Sequence, residues 1–138
     1  MRELRELTVE AKLENLEAVL EFIREALADA GCVVKVQKQI AIAVEELFVN
    51  ISQYAYRSAV GGAVIRIAAG DEIVIEFEDA GVAFNPLERA DPDVKAGPDE
   101  RGIGGLGIFM VKNMMDAMDY RREGNKNIIT VKKAIKKR

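Results

Sequence analysis

The chain has 138 residues, enough for one domain with a true hydrophobic core and too few for two ample ones. With 20 Lys and Arg against 23 Asp and Glu, the formal net charge is −3, which supplies no chain-wide positive field for nucleic acid. There is no histidine, which excludes a histidine base, a histidine-containing triad and phosphohistidine on this chain, and the single Cys32 has no internal disulfide partner.

In chain order, Glu3 to Ala11 alternates, with Leu7 and Val9 on one face, and predicts a first strand at a sheet edge. From Asn15, a helix-capping residue type, Leu16, Val19, Leu20, Ile23 and Leu27 recur at helical spacing until Gly31. A second helix begins near Val34 or Lys35 and ends before Gly61-Gly62. Ala63 to Ala68 and Glu72 to Glu78 read as two strands joined at Ala69-Gly70-Asp71. After a long loop, an apolar helical face follows at Ile108, Phe109, Val111 and Met115. Met114, Met115 and Met118, near the end of that helix, read as core filling. Ala117 to Glu123 and Asn127 to Ala134 close the chain as a hairpin around Gly124-Asn125-Lys126, with a solvated basic tail from Lys132 to Arg138. Strands that mostly adjoin in sequence favour an α+β fold, a mixed and largely antiparallel sheet with helices on one face. Although 49% of residues are apolar, no run is long enough to span a bilayer, and the charged N-terminus is not signal-like. The expectation is a soluble cytoplasmic protein with no membrane partner, and Cys32 as a structural thiol.

The second helix carries the first candidate chemistry. Its apolar stripe is Ile40, Val44, Leu47, Phe48, Ile51 and Ala55, and Glu46 and Asn50 lie beside it. Four residues apart, their side chains stack about one turn apart and about 40° off in azimuth, whereas Glu45 lies roughly 140° from Asn50. Glu46 is therefore the glutamate that can pair with Asn50.

Two glycine-bearing stretches follow. The strand ending at Glu78 leads into Asp79-Ala80-Gly81, where a carboxylate precedes a residue that lets backbone approach a ligand. Val82 to Gly104 contains Pro86, Pro92 and Pro98 with Asp91, Asp93, Asp99 and Glu100, the composition of a long irregular loop or lid. Arg101-Gly102-Ile103-Gly104-Gly105-Leu106-Gly107 then opens a helix, whose first N–H groups form an anion site. It is no Walker A loop, lacking Gly-Lys-Ser/Thr, and no Rossmann fingerprint, lacking a preceding strand. Taken singly, each of these triplets also reads as an ordinary turn or hinge.

In this order the patterns resemble the GHKL ATPase superfamily, named for gyrase, Hsp90, histidine kinases and MutL. Its N box matches Glu46-x-x-x-Asn50, its first glycine box Asp79-Ala80-Gly81, and its second Gly105-Leu106-Gly107. The finer resemblance is to stand-alone anti-sigma factor serine-protein kinases of the RsbW and SpoIIAB type. It rests on Asp79-Ala80-Gly81-Val82-Ala83-Phe84-Asn85-Pro86 and on Gly104-Gly105-Leu106-Gly107-Ile108. Tyr54 stands where many relatives have a histidine, and Ala55-Tyr56 keeps the pattern.

The resemblance implies a two-layer α/β sandwich of GHKL (Bergerat) type, one domain over residues 1–138 with a lid at about 82–104. ATP and Mg²⁺ would be its cofactors. Asn50 would bind Mg²⁺ and Glu46 would be the general base. Asp79 would accept from the adenine amine, with Gly81 making room for the base. Gly105, Leu106 and Gly107, with the helix start at Ile108, would cradle phosphate, and Arg101 would reach the γ-phosphate from the lid. The implied activity is that of a serine/threonine protein kinase and anti-sigma factor partner switch. It would bind a sigma factor, phosphorylate an anti-anti-sigma protein of STAS type on serine, and make no direct contact with nucleic acid. Such proteins are commonly homodimers, which would suit an exposed first strand. Two other readings stand beside this one: a non-catalytic, nucleotide-gated binding module, which Tyr54 favours, and a detached catalytic half of a histidine kinase.

Overall fold

The computed structural model describes residues 3–56, 61–88 and 105–135. Strand β1 runs Glu3–Glu10, and a 3₁₀ turn at Leu13–Asn15 leads into helix α1, Leu16–Asp29. Asn15 sits at the N-cap of α1 without making a capping bond, because its backbone is not extended there. Its Nδ2 instead donates to Glu10 O at 2.8 Å, pinning the turn to the end of β1. Helix α1 ends in a left-handed glycine, Gly31 with φ +74, and Cys32 N donates back to Leu27 O at 3.0 Å.

Helix α2 spans Val34–Tyr54, the longest described element, and buries Ile40, Ala43, Val44, Leu47, Phe48 and Ile51 on one side. Strands β2, Gly62–Ala69, and β3, Glu72–Asp79, follow, then helix α3, Gly105–Met114, and strands β4, Ala117–Glu123, and β5, Lys126–Ala134. The β4–β5 turn places Gly124 at φ +58 and Asn125 at negative φ, the two-residue pattern with glycine first that matches strand twist.

The sheet order is β1-β2-β3-β5-β4, with β1 at one edge as expected. Where a mixed, mostly antiparallel sheet was anticipated, all four described pairings are antiparallel. The reason is connectivity. β2–β3 and β4–β5 are tight hairpins, and β5 returns beside β3 in the opposite sense.

The core lies between one sheet face and the helices. Ile65 and Ile67, Ile73, Ile75 and Phe77, and Ile129 and Val131 alternate inward and meet Val19, Ile23 and Leu27 of α1 and the α2 stripe. Each large side chain so buried contributes about 2 kcal/mol. Cys32 joins this core as a buried thiol, and its burial pushes its pKa up. The opposite sheet face is a charged lattice. Arg66 reaches Glu6 at 2.8 Å and Glu78 at 3.1 Å, and Lys126 reaches Glu78 at 3.3 Å. Met115 is buried, and Met118, on β4, packs on the core from the sheet, so both fill the core as expected.

Candidate functional site

The site is built along the face of α2 that looks toward α3 at one end and toward the exit of β3 at the other. Helical periodicity alone puts Glu46, Asn50 and Gln53 on this face. Asn50 is buried, Glu46 is half-buried, and Glu45 points to solvent, as their azimuths require. Opposite Glu46 stands Gly107 in the first turn of α3. A Cβ added there would lie 2.2 Å from Glu46 Oε2, so only glycine leaves the carboxylate in place. Glu46, Asn50, Gln53, Val49, Gly107 and Ile108 line one cavity of about 170 Å³. The opening N–H groups of α3, from Gly105 through Gly107, have no partner within their own helix. The Glu46 carboxyl is held above its ordinary pKa, first by burial and then by the charge of Glu45. It is a carboxyl with raised proton affinity, lining a cavity to which the first turn of α3 contributes Gly107 and Ile108.

At the other end, Asp79 stands two residues beyond Phe77 and so shares the inward phase of β3. It is buried, and its Oδ1 accepts from Gly81 N at 2.9 Å and from Asn127 Nδ2 at 2.9 Å. Asp79 and Asn127 are direct cross-strand partners of β3 and β5. Gly81 passes close under the end of α2, where a Cβ would lie 2.1 Å from Ala55 O, and Val82 N donates to that same carbonyl at 2.9 Å. Tyr56 ties the corner together, its hydroxyl donating to Gly62 O at 2.7 Å and accepting from Ala80 N at 2.9 Å.

A second cavity opens here between Asn50, Tyr54, Asp79, Phe84, Asn127 and Ile129. At about 10 Å³ it has room for about one water. Tyr54 and Phe84 stack across it, with centroids 6.0 Å apart and planes 15° from parallel. Asn50 lines both cavities and so joins the two ends. A third cavity, about 320 Å³ between α1 and α2, contains none of these groups. Its walls are mainly Leu20, Ile23, Leu27 and Val34, and its chemistry is apolar packing.

Of the residues singled out from sequence, Glu46, Asn50, Gly107 and Ile108 meet at one cavity, with Gly105 and Leu106 in the same helical turn. Asp79 meets the second cavity, and Gly81 is bonded to it. Arg101 and most of the lid expected at about 82–104 lie outside the described residues. Sequence reasoning missed Asn127, Tyr120, Arg122 and Gln53. Asn127 was readable in one respect: it alternates in phase with Ile129 and Val131, and a polar residue on an inward face asks for a partner.

Among the described residues no cluster of three or more His, Cys, Asp or Glu could hold a metal by itself. No described helix is long and apolar enough to cross a membrane.

Among known folds, this one is similar to the RsbU and RsbW domains of Rv1364c from Mycobacterium tuberculosis. That structure is 15% identical with a TM-score of 0.69, and the match covers 96% of this chain and 32% of that one. The chain thus spans about a third of that protein's length. A histidine kinase, AdeS of Acinetobacter baumannii, also matches at 15% identity and a TM-score of 0.46, over 98% of this chain and 70% of its own. No curated protein sequence matches the chain. The model of the histidine kinase-like ATPase domain matches residues 9–133, from the end of β1 through β5 and so across both ends of the site. With that span and an α+β fold of GHKL type, the chain belongs to the histidine kinase-like ATPase family, a family of ATP-binding modules.

Proposed function

We propose that the chain is an ATP-dependent serine/threonine protein kinase that works as an anti-sigma factor partner switch. The observation that carries the chemical part is the meeting of Glu46, Asn50 and Gly107 at one cavity. Asp79 stands at the linked cavity as a base acceptor. Gly81, expected to make room for the base, instead makes room for the Ala55 carbonyl and hydrogen-bonds Asp79 from its N–H. Gly105, Leu106, Gly107 and Ile108 hold phosphate oxygens through the first turn of α3, and Arg101 joins them from the lid.

Asn50 presents a hard carboxamide oxygen one helical turn from Glu46, a donor suited to Mg²⁺ that keeps waters and phosphate oxygens as its other ligands. Asn50 would ligate it, and the ion would neutralise charge on the phosphates. Glu46, with its raised proton affinity, takes the proton from a serine hydroxyl as that oxygen attacks the γ-phosphorus and ADP leaves. The partner-switch part is supported by the Asp79 to Pro86 run and by the fold likeness to a protein carrying an RsbW domain. The expected partners are a STAS-type substrate, a sigma factor and a second copy of the chain meeting at the β1 edge.

A non-catalytic nucleotide-gated module is the second reading, favoured by Tyr54 stacking on Phe84 over the small cavity. The test is calorimetric titration with ATP and GTP, with and without Mg²⁺, followed by transfer of labelled γ-phosphate to a STAS-domain protein. Magnesium-dependent, adenine-selective binding and phosphoserine that disappears in Glu46→Ala support the kinase. Binding without phosphoserine supports the module, and no binding by folded protein sinks both.

A further inference from the structure

The hairpin of β4 and β5 contributes a group of polar side chains that the site reading above does not use. Asn127 is buried at the centre of it. Its Nδ2 donates to Asp79 Oδ1 at 2.9 Å and to Val82 O at 2.8 Å, which spends both of its hydrogens. Its Oδ1 accepts from Tyr120 Oη at 2.5 Å, Arg122 Nη1 at 3.2 Å and Phe84 N at 3.3 Å. Acceptors face one end of the carboxamide and donors the other, so its orientation is determined and a flip would break the set. Arg122 Nη1 also donates to Gly81 O at 3.0 Å, fastening the same hairpin to the Gly81 peptide.

The consequence falls on Asp79. Its Oδ1 is occupied twice, by Gly81 N and Asn127 Nδ2. Among the described residues its Oδ2 has no partner, and no described buried side-chain oxygen is both unpartnered and shut off from solvent. Oδ2 therefore keeps accessible surface, and Asp79 lines the cavity between Asn50 and Ile129. A carboxylate so clamped presents one acceptor in a set direction. It favours a ring carrying an N–H donor and opposes one carrying a carbonyl oxygen at the same place.

We propose that Asn127 is a positioning residue for base selectivity, aiming Asp79 Oδ2 through a carboxamide that Tyr120 and Arg122 hold. Asn127 lines the same cavity but has no hydrogen bond left to offer the base, since both of its hydrogens and its oxygen are engaged within the protein. This rests on the nucleotide reading above and deepens it.

The test compares ATP with ITP, which differs by a carbonyl oxygen in place of the 6-amino group, by calorimetry on the whole chain. Wild type binds ATP more tightly than ITP. In Asn127→Ala, ATP affinity falls about tenfold or more while ITP affinity stays within about twofold, so selectivity collapses. Tyr120→Phe, which removes one donor from the Asn127 Oδ1, shows a smaller loss of selectivity and supplies the readout should Asn127→Ala not fold. Equal losses for both nucleotides, or unchanged selectivity in a variant that folds, overturn the proposal. Failure of the folded wild type to bind ATP overturns the nucleotide reading and this proposal with it. Selective wild-type binding with unaltered selectivity in the variants overturns this proposal alone.

Discussion

The two ends of the site are held in different ways. At the Asp79 end the constraints are backbone and saturated hydrogen bonds: Gly81 lies under a main-chain carbonyl, and Asn127 has no hydrogen-bonding capacity to spare. At the Glu46 end the close contact is between a glycine and the far end of a flexible side chain. A main-chain oxygen moves only if the helix moves, whereas a carboxylate swings about its own torsions. The Asp79 end is thus part of the fold, and the Glu46 end is set by α3 docking on α2. Substitutions should separate accordingly, with loss of stability at the first and loss of chemistry at the second.

The largest effect expected is on transfer. Glu46→Gln should lower the phosphotransfer rate about 10³-fold, the worth of a positioned base, while ATP titration stays near wild type. The same variant should be more stable than wild type at neutral pH. A carboxyl whose folded pKa is raised costs stability wherever it is ionised in the folded state, and that cost vanishes below its ordinary value of 4.5. Thermal melts of the two proteins should therefore converge as pH falls below about 4.5. Unchanged transfer would remove Glu46 from the base role.

Next comes Gly81→Ala, whose Cβ meets Ala55 O at 2.1 Å. It should cost about 3 kcal/mol, a drop of roughly 10 °C in melting temperature. Gly107→Ala sharpens the contrast. Its Cβ meets Glu46 Oε2 at 2.2 Å, and the side chain can yield. Transfer should fall about tenfold with a melting temperature within about 2 °C of wild type. Equal destabilisation by the two alanines would erase the distinction between the ends.

The smallest effect lies on the far sheet face. Burial works to raise the Glu78 pKa, but Arg66 and Lys126 outweigh it and hold it below 4.5. A depressed carboxyl stabilises the fold above its unfolded value and loses that contribution as pH falls through the folded one. Glu78→Gln should cost up to about 1 kcal/mol at pH 7, with the difference from wild type closing below pH 4.5 in acid melts.

Local periodicity made much of this legible in advance. The α2 stripe with Glu46 and Asn50 beside it, the alternation of β3 and both hairpins follow from repeats of 3.6 and 2.0 residues, which the backbone imposes wherever the element forms. The resemblance carried the order of the three motifs, and the matched span from 9 to 133 agrees with it. Two details differ from expectation: Asn15 makes no side-chain capping bond, and all four described strand pairings are antiparallel.

The sequence by itself determined which residues share a face of one element, because that depends only on spacing along a single helix or strand. Asp79 in phase with Phe77, and Glu46 one turn from Asn50, needed nothing more. Only the tertiary structure decided which faces meet. Asn127 stands opposite Asp79, 48 residues away, because β5 pairs with β3 in one register, and a slip of one residue would turn it to the other sheet face. Gly107 lies against Glu46, and Gly81 against Ala55, because α3 docks on α2 and the exit of β3 passes beneath the end of that helix. Such contacts depend on how separate elements pack, which spacing along the chain does not encode.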